Sequence, residues 1–78
     1  MKLIFKKIEK YDAVLCVDDL NATPLLKQVA YGTIFEDSKG RFPDGSKIRT
    51  SEIQELVLDD KGVMFIQTLN TVYKVSKG

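Results

Sequence analysis

Apolar and polar positions alternate along much of the chain in short segments that are separated by turn-forming residues. Alternation with a period of two predicts β-strands, because successive side chains of a strand point to opposite faces of its sheet. In residues 28–36, for example, Tyr31, Thr33 and Phe35 alternate with Gly32 and Ile34. The predicted strands cover residues 3–8, 11–17, 28–36, 47–50, 51–58, 63–68 and 71–75.

Three of these segments carry additional information. Residues 11–17 are nearly all apolar, which predicts a strand buried on both faces. Gly32 lies inside a strand and indicates either a bulge or a place where another backbone comes close. Residues 51–58 favour a strand, but Ser51 followed by Glu52 also resembles the start of a helix, and that alternative stays open.

The turn residues predict how the strands connect. Pro43, Asp44 and Gly45 fit a tight turn, because proline fixes φ and glycine supplies a positive φ. The segment 59–62 fits a hairpin turn with Gly62 in the left-handed conformation. The C-terminal half is therefore predicted to be a meander of neighbouring strands.

The fold class that follows is all-β, with one domain over residues 1–78. So few residues cannot form a two-sheet sandwich of about 100 residues. We expect a small, highly curved antiparallel sheet or an SH3-like or OB-like barrel, whose closure would also remove exposed strand edges.

The composition argues against an enzyme. The chain has no histidine and one cysteine, Cys16, which lies in an apolar run and is expected to be a buried small hydrophobe. A nucleophilic thiol or hydroxyl would need a nearby base. The acidic residues occur mostly as neighbours at strand ends, where we expect turns rather than converging metal ligands. We therefore expect no catalytic site, no cofactor and no metal.

The chain is expected to be cytoplasmic. Lys6 and Lys7 interrupt the apolar start of the chain, so it lacks the apolar stretch of about 7–15 residues that a secretory signal needs. No segment approaches the roughly 18 apolar residues that span a bilayer. The net charge of +1 gives no general attraction to nucleic acid or anionic membranes.

A basic stretch with an aromatic residue forms the first candidate partner-binding surface. If the turn at 43–45 folds this stretch back, its cations could share one edge, as in phosphate-binding surfaces, and an exposed ring could stack on a base. The simpler interpretation is that the charges aid solubility and the ring packs on the core. The residues are Lys39, Arg41, Phe42, Lys47 and Arg49.

The segment 18–27 is the second candidate surface. Leu20, Leu25 and Leu26 lie there outside any clear strand pattern. Exposed, they would form an apolar patch for a protein partner; folded under, they would plug one end of a barrel. A separate group of lysines near the N-terminus predicts a solvated strand edge that is charged against strand addition. These are Lys2, Lys6, Lys7 and Lys10.

A resemblance is carried by residues 40–53, GRFPDGSKIRTSEI, and by residues 67–73, QTLNTVY. These segments are similar to an element and a closing hairpin in short, mostly uncharacterised proteins of phages and bacterial mobile elements. The likeness covers roughly residues 29–76. It implies a small accessory β protein that blocks or redirects a host complex, as anti-CRISPR and other anti-defence proteins of this size do by occlusion.

The leading hypothesis from the sequence is a non-enzymatic protein-binding module, with a bacterial or host protein complex as its partner. The alternative is a nucleic-acid-binding small barrel that uses the basic hairpin edge. A homodimer is compatible with both hypotheses, because a shared interface could supply core area that so short a chain lacks.

Overall fold

The computed structural model describes residues 2–17 and 29–76, and these residues form seven β-strands. Each strand is four or five residues long. The strands are β1 (Lys2–Phe5), β2 (Ala13–Val17), β3 (Tyr31–Phe35), β4 (Ser46–Arg49), β5 (Glu55–Leu58), β6 (Met64–Gln67) and β7 (Val72–Ser76). The predicted all-β class is confirmed.

All seven strands belong to one sheet, in the order β1-β5-β6-β7-β2-β3-β4. The antiparallel neighbours β5, β6 and β7 form the predicted C-terminal meander. The prediction of an antiparallel sheet throughout was wrong, since β1 pairs with β5 and β2 pairs with β7 in parallel. Short turns join only antiparallel neighbours, so the parallel pairs join strands that are distant in the chain.

The sheet is not closed, and the predicted SH3-like or OB-like barrel is not confirmed. In the described residues β1 and β4 each pair with one strand only, so they form its two edges. The chain leaves β4 through residues 50–54, where Thr50 N–H donates to Ala30 O at 2.8 Å. Ile53 from this connection lies in the core. This connection joins β4 to β5. In the described residues β4 does not pair with β1, which is the pairing that would close a barrel.

The main buried cluster lies on one face of the sheet, here called the inner face, while Val57 and Phe65 are buried on the opposite, outer face. Alternation along β2 places Ala13, Leu15 and Val17 on it, while Val14 and Cys16 point to the outer face and are half-buried. The prediction that this strand is buried on both faces was therefore wrong, and Cys16, which was expected to be a buried small hydrophobe, is only half-buried. The buried cluster comprises Ala13, Leu15, Val17, Ala30, Ile34, Ile53, Leu56, Ile66 and Tyr73.

Gly32 allows two backbones to approach closely, as one of the two sequence interpretations stated. A Cβ atom at this position would lie 2.3 Å from the carbonyl oxygen of Cys16 on the neighbouring strand. The register between β2 and β3 runs without interruption through Gly32. The glycine therefore serves the contact between the strands, and there is no bulge.

The predicted turns are also present. Gly45 and Gly62 have φ angles of 89° and 81°, the left-handed conformation expected at both positions. Residues 51–58 are neither a helix nor a continuous strand, because the strand begins only at Glu55. No helix long and apolar enough to cross a membrane occurs in the part of the chain that the structure describes.

Candidate binding surfaces

The loop between β3 and β4 is organised around the carboxylate of Asp37, whose side chain has no exposed surface. Backbone N–H groups of Lys39, Arg41 and Phe42 donate to this carboxylate at 3.1, 2.9 and 3.3 Å. The guanidinium of Arg41 adds bonds from Nε at 3.2 Å and from Nη2 at 3.3 Å. So many donors on one carboxylate hold the loop in a single conformation.

These contacts fix the charges of the pair. Burial alone would raise the pKa of Asp37, but hydrogen bonds from the Arg41 side chain and from the N–H groups of Lys39 and Arg41 outweigh it and hold the pKa below its ordinary value of 3.8. Burial alone would lower the pKa of Arg41, but the hydrogen bond to Asp37 and the electrostatic interactions with Tyr73 and Asp37 outweigh it and raise the pKa. Both groups are therefore charged at neutral pH.

Two of the predicted partner-binding cations tie this loop to the turn between β6 and β7. Arg41 Nη1 donates to Thr71 Oγ1 at 3.1 Å, and Lys39 Nζ donates to the same oxygen at 3.3 Å. Lys39 Nζ also donates to the carbonyl oxygen of Asn70. Sequence reasoning assigned these cations to a partner, and the structure gives both of them bonds within the molecule.

Phe42 lies at the tip of the loop and is partly exposed. It is not a member of the buried core cluster. The Arg41 guanidinium lies 5.6 Å from the centre of the Phe42 ring, within the range of a cation–π contact. The loop therefore presents an aromatic ring whose position is fixed through Arg41 and Asp37.

Lys47 and Arg49, the other two predicted cations, lie elsewhere. They occupy alternate positions of the edge strand β4, opposite Thr33 and Tyr31 of β3. Thr33 and Tyr31 point away from the core, and paired residues of neighbouring strands point to the same face. Both cations therefore lie on the outer face of the sheet. The four cations are thus divided between a loop at one end of the sheet and the face of an edge strand.

The second predicted surface, with Leu20, Leu25 and Leu26, lies outside the described residues. Its assignment stays a prediction.

The other edge of the sheet carries apolar residues that sequence reasoning did not single out. Leu3 and Phe5 of β1 expose 54% and 73% of their surface, although they lie on the inner face beside Leu56 and Leu58. The core covers Leu56 of β5 but does not extend over its neighbour Leu3 at the edge of the sheet. The sequence showed an apolar first strand, but its exposure depends on the parallel pairing with β5, which no local pattern predicts.

Clefts border this edge and extend along the same end of the sheet. One of about 310 Å³ is lined by Phe5, Lys6, Lys7, Leu58, Asp59 and Asp60. A second, of about 530 Å³, includes Met64 and Val75 and shares Leu58 with the first. Together they continue the apolar surface of β1 toward β6 and β7.

The outer face of the sheet is covered over its central strands. The Tyr11 ring, from the connection between β1 and β2, lies 6.1 Å from the ring of Phe65 in β6, which is buried. Lys74 Nζ of β7 lies 5.6 Å from the Tyr11 ring centre. Over β3, Tyr31 and Phe35 are partly exposed.

Among residues 2–17 and 29–76, no three acidic or cysteine side chains converge where they could hold a metal ion. Comparison with protein-family models, with curated proteins and with solved structures found no match.

Proposed function

We propose that the protein is a non-enzymatic protein-binding module whose main contact surface is the edge strand β1. The observation that supports this most is Phe5, an aromatic side chain that is 73% exposed on an edge strand beside a cleft. Large apolar side chains exposed next to one another are typical of protein interaction surfaces.

The mode that fits this edge is addition of an extended partner segment to β1. In the described residues β1 pairs only with β5, so the backbone groups on its other side have no strand partner. A partner strand would pair with these groups, and its side chains would meet Leu3 and Phe5 on the inner face. Of the lysines expected to prevent such pairing, Lys2 begins the strand, whereas Lys6, Lys7 and Lys10 lie beyond its end.

The charges near β1 favour a different protein over a second copy of this one. Lysines precede and follow the apolar residues of the strand, at positions 2, 6 and 7. Antiparallel pairing of two copies would bring these cations together, and like charges directly opposite each other are destabilising. We therefore propose a partner segment with apolar residues for Leu3 and Phe5 and acidic residues at its ends.

The resemblance to short phage and mobile-element proteins leads us to propose a bacterial host complex as the source of this segment. Binding would act by occlusion, since a strand added to β1 blocks the partner's own contacts. A role for Phe42 in the same or another complex stays a prediction.

The experiment is an affinity capture from nuclease-treated bacterial lysate with a C-terminal tag, because β1 is the first strand of the chain. The test variant is Leu3→Ala/Phe5→Ala, and the matched control is Leu69→Ala, whose side chain is 79% exposed on a different turn. We expect a stoichiometric protein that the wild type and the control retain. The test variant should bind it at least about 30-fold more weakly, as for a central contact residue.

Equal capture by the test variant and the control would exclude β1 as the contact surface. Loss of all captured protein after nuclease treatment would contradict the protein-binding function itself.

A further inference from the structure

The smaller cleft lies at the C-terminal ends of β1 and β5, where a segment paired with β1 would leave the strand. It has a volume of about 310 Å³ and is lined by Phe5, Lys6, Lys7, Leu58, Asp59 and Asp60. This volume is at the lower end of the range for ligand pockets, about 300–1,000 Å³, and suits one large side chain. We propose that the cleft binds an aromatic side chain of the partner segment, an inference that rests on the proposed function.

Backbone hydrogen bonds fix both walls of the cleft. On one side, Lys6 N–H donates to Leu58 O at 3.2 Å and holds the end of β1 against β5. On the other side, the Asp59 carboxylate accepts the N–H groups of Lys61 and Val63, both at 2.9 Å, and stabilises the turn between β5 and β6. Since the walls are already held in place, a side chain can enter without a rearrangement that would cost entropy.

Phe5 supplies an aromatic surface to the cleft. It exposes 73% of its surface, whereas Leu58 beside it is half-buried. A second ring packed against Phe5 would bury apolar area and would also gain the additional attraction between two aromatic rings. An aliphatic side chain would gain the buried area only. The exposed ring therefore favours an aromatic occupant.

The charges around the cleft favour a neutral occupant. Two lysines and two aspartates line it, and two further charged residues lie close by: Glu55, which is 3.9 Å from Lys6, and Lys61 in the turn. Lys74, the cation of the neighbouring cleft, is three strands away from β1 and lies over the Tyr11 ring. A charged side chain would be attracted by one set of charges and repelled by the other. A tyrosine hydroxyl or a tryptophan N–H can donate a hydrogen bond to a carboxylate at the rim.

The spacing along β1 places the aromatic residue within the partner segment. Because Lys6 N–H faces β5, the backbone groups of the alternate residues Leu3 and Phe5 point toward the open edge. A strand paired with Leu3 and Phe5 has its next residue on the same face about 7 Å further along, level with Lys7 and the cleft. The partner segment should therefore carry two apolar residues at alternate positions, with tyrosine or tryptophan two positions beyond them.

The test is an NMR titration of the isotopically labelled protein with phenol and with cyclohexanol, which has the same number of carbons and the same hydroxyl group without the aromatic ring. We expect phenol to shift the backbone signals of Phe5, Lys7 and Asp60. Phenol should bind about 2- to 13-fold more tightly than cyclohexanol, the range that one aromatic pair contributes. Benzoate and benzylammonium, the charged probes, should bind no more tightly than phenol.

A matched pair of variants isolates the ring of Phe5. Phe5→Leu keeps an apolar wall but removes the ring, so phenol and cyclohexanol should then bind about equally. The control is Phe35→Leu, which changes a partly exposed phenylalanine on β3, far from β1 in the sheet, and should keep the preference for phenol. In the lysate capture, Phe5→Leu should weaken binding of the retained partner by about the same 2- to 13-fold.

The comparison of the two probes on the wild type needs no variant, so the proposal stays testable if Phe5→Leu does not fold. Equal binding of phenol and cyclohexanol, tighter binding of a charged probe, or shifts confined to Met64 and Val75 of the neighbouring cleft would each overturn it. These results would leave protein capture by β1 unaffected, because the titration does not involve the partner. A preference for phenol without any captured protein would instead contradict the proposed function and exclude a protein segment as the occupant.

Discussion

The two edges of the sheet are built from different kinds of residue. On β4, Lys47 and Arg49 point outward while Ile48 packs against the core. On β1, Leu3 and Phe5 are largely exposed. Charges along an edge discourage pairing with another chain, whereas an apolar edge invites it. In the described part of the chain, the β4 edge is therefore better protected against strand addition than the β1 edge.

The edges also differ in how they are held. The β4 side is fixed at one end by Thr50, whose hydroxyl oxygen accepts the N–H of Ala30 at 2.9 Å, and at the other by Gly45 N–H, which donates to Ile34 O at 2.8 Å. The β1 side is held by its ladder with β5, by the bond from Lys6 N–H to Leu58 O at 3.2 Å and by an exposed ion pair between Lys6 and Glu55 at 3.9 Å. The β4 edge is therefore fixed by hydrogen bonds at both ends, whereas the β1 edge carries the more exposed apolar side chains.

The largest effect is expected from Gly32→Ala, on the stable side. The added methyl would meet the backbone of Cys16 and Val17, which cannot move aside without separating β2 from β3. We expect a loss of about 3 kcal/mol in the free energy of unfolding, measured by urea denaturation.

The matched control for this change is Gly62→Ala. Unlike that of Gly32, its φ is positive, but nothing lies within 4 Å of the new Cβ, so it should lose only about 1 kcal/mol from backbone strain. If both variants lose the same amount, the close strand contact does not contribute to the stability of the β4 side.

The next effect is expected from Asp37→Asn. This change removes the charge that holds the loop and Arg41, and should cost about 2 kcal/mol at neutral pH. Because the folded pKa of Asp37 lies below 3.8, the wild type's advantage is fully present above that pH. It should disappear as the pH falls through the folded pKa.

Urea denaturation of the wild type and of Asp37→Asn, from neutral pH down to below 3.8, tests the prediction. Asp60→Asn, an exposed turn residue, is the control and should change stability by less than about 0.5 kcal/mol. A difference between wild type and Asp37→Asn that does not depend on pH would show that shape and not charge accounts for it.

The local features of the fold could be predicted from the sequence and the long-range ones could not. Alternation gave the strands, and the turn chemistry of Gly45 and Gly62 gave the connections between antiparallel neighbours. The parallel pairs and the open sheet depend on contacts between distant segments, such as Leu3 with Leu56. These carry no local signature in the chain.

The same limit applies to the candidate sites. The sequence indicated a basic stretch, and Lys47 and Arg49 do lie on one outer face. It could not show that Arg41 is bound to Asp37, because that pairing depends on how the loop folds back. It also gave no sign that Tyr31 is exposed, because an alternating strand does not say which of its faces the rest of the chain covers.

The smallest effect is expected at β1 and bears most directly on the comparison of the edges. Leu3→Ala/Phe5→Ala removes side chains that are already more than half exposed, so we expect a loss of less than about 1.5 kcal/mol for the pair. Ile48 lies on the inner face of the other edge strand, β4, and packs against the core. Ile48→Ala alone should lower the free energy of unfolding by about 2 kcal/mol. Urea midpoints measured side by side decide between two roles for β1. A small cost means that Leu3 and Phe5 are available to a partner, whereas a cost above that of Ile48→Ala would make them part of the core and remove the basis for binding at this edge.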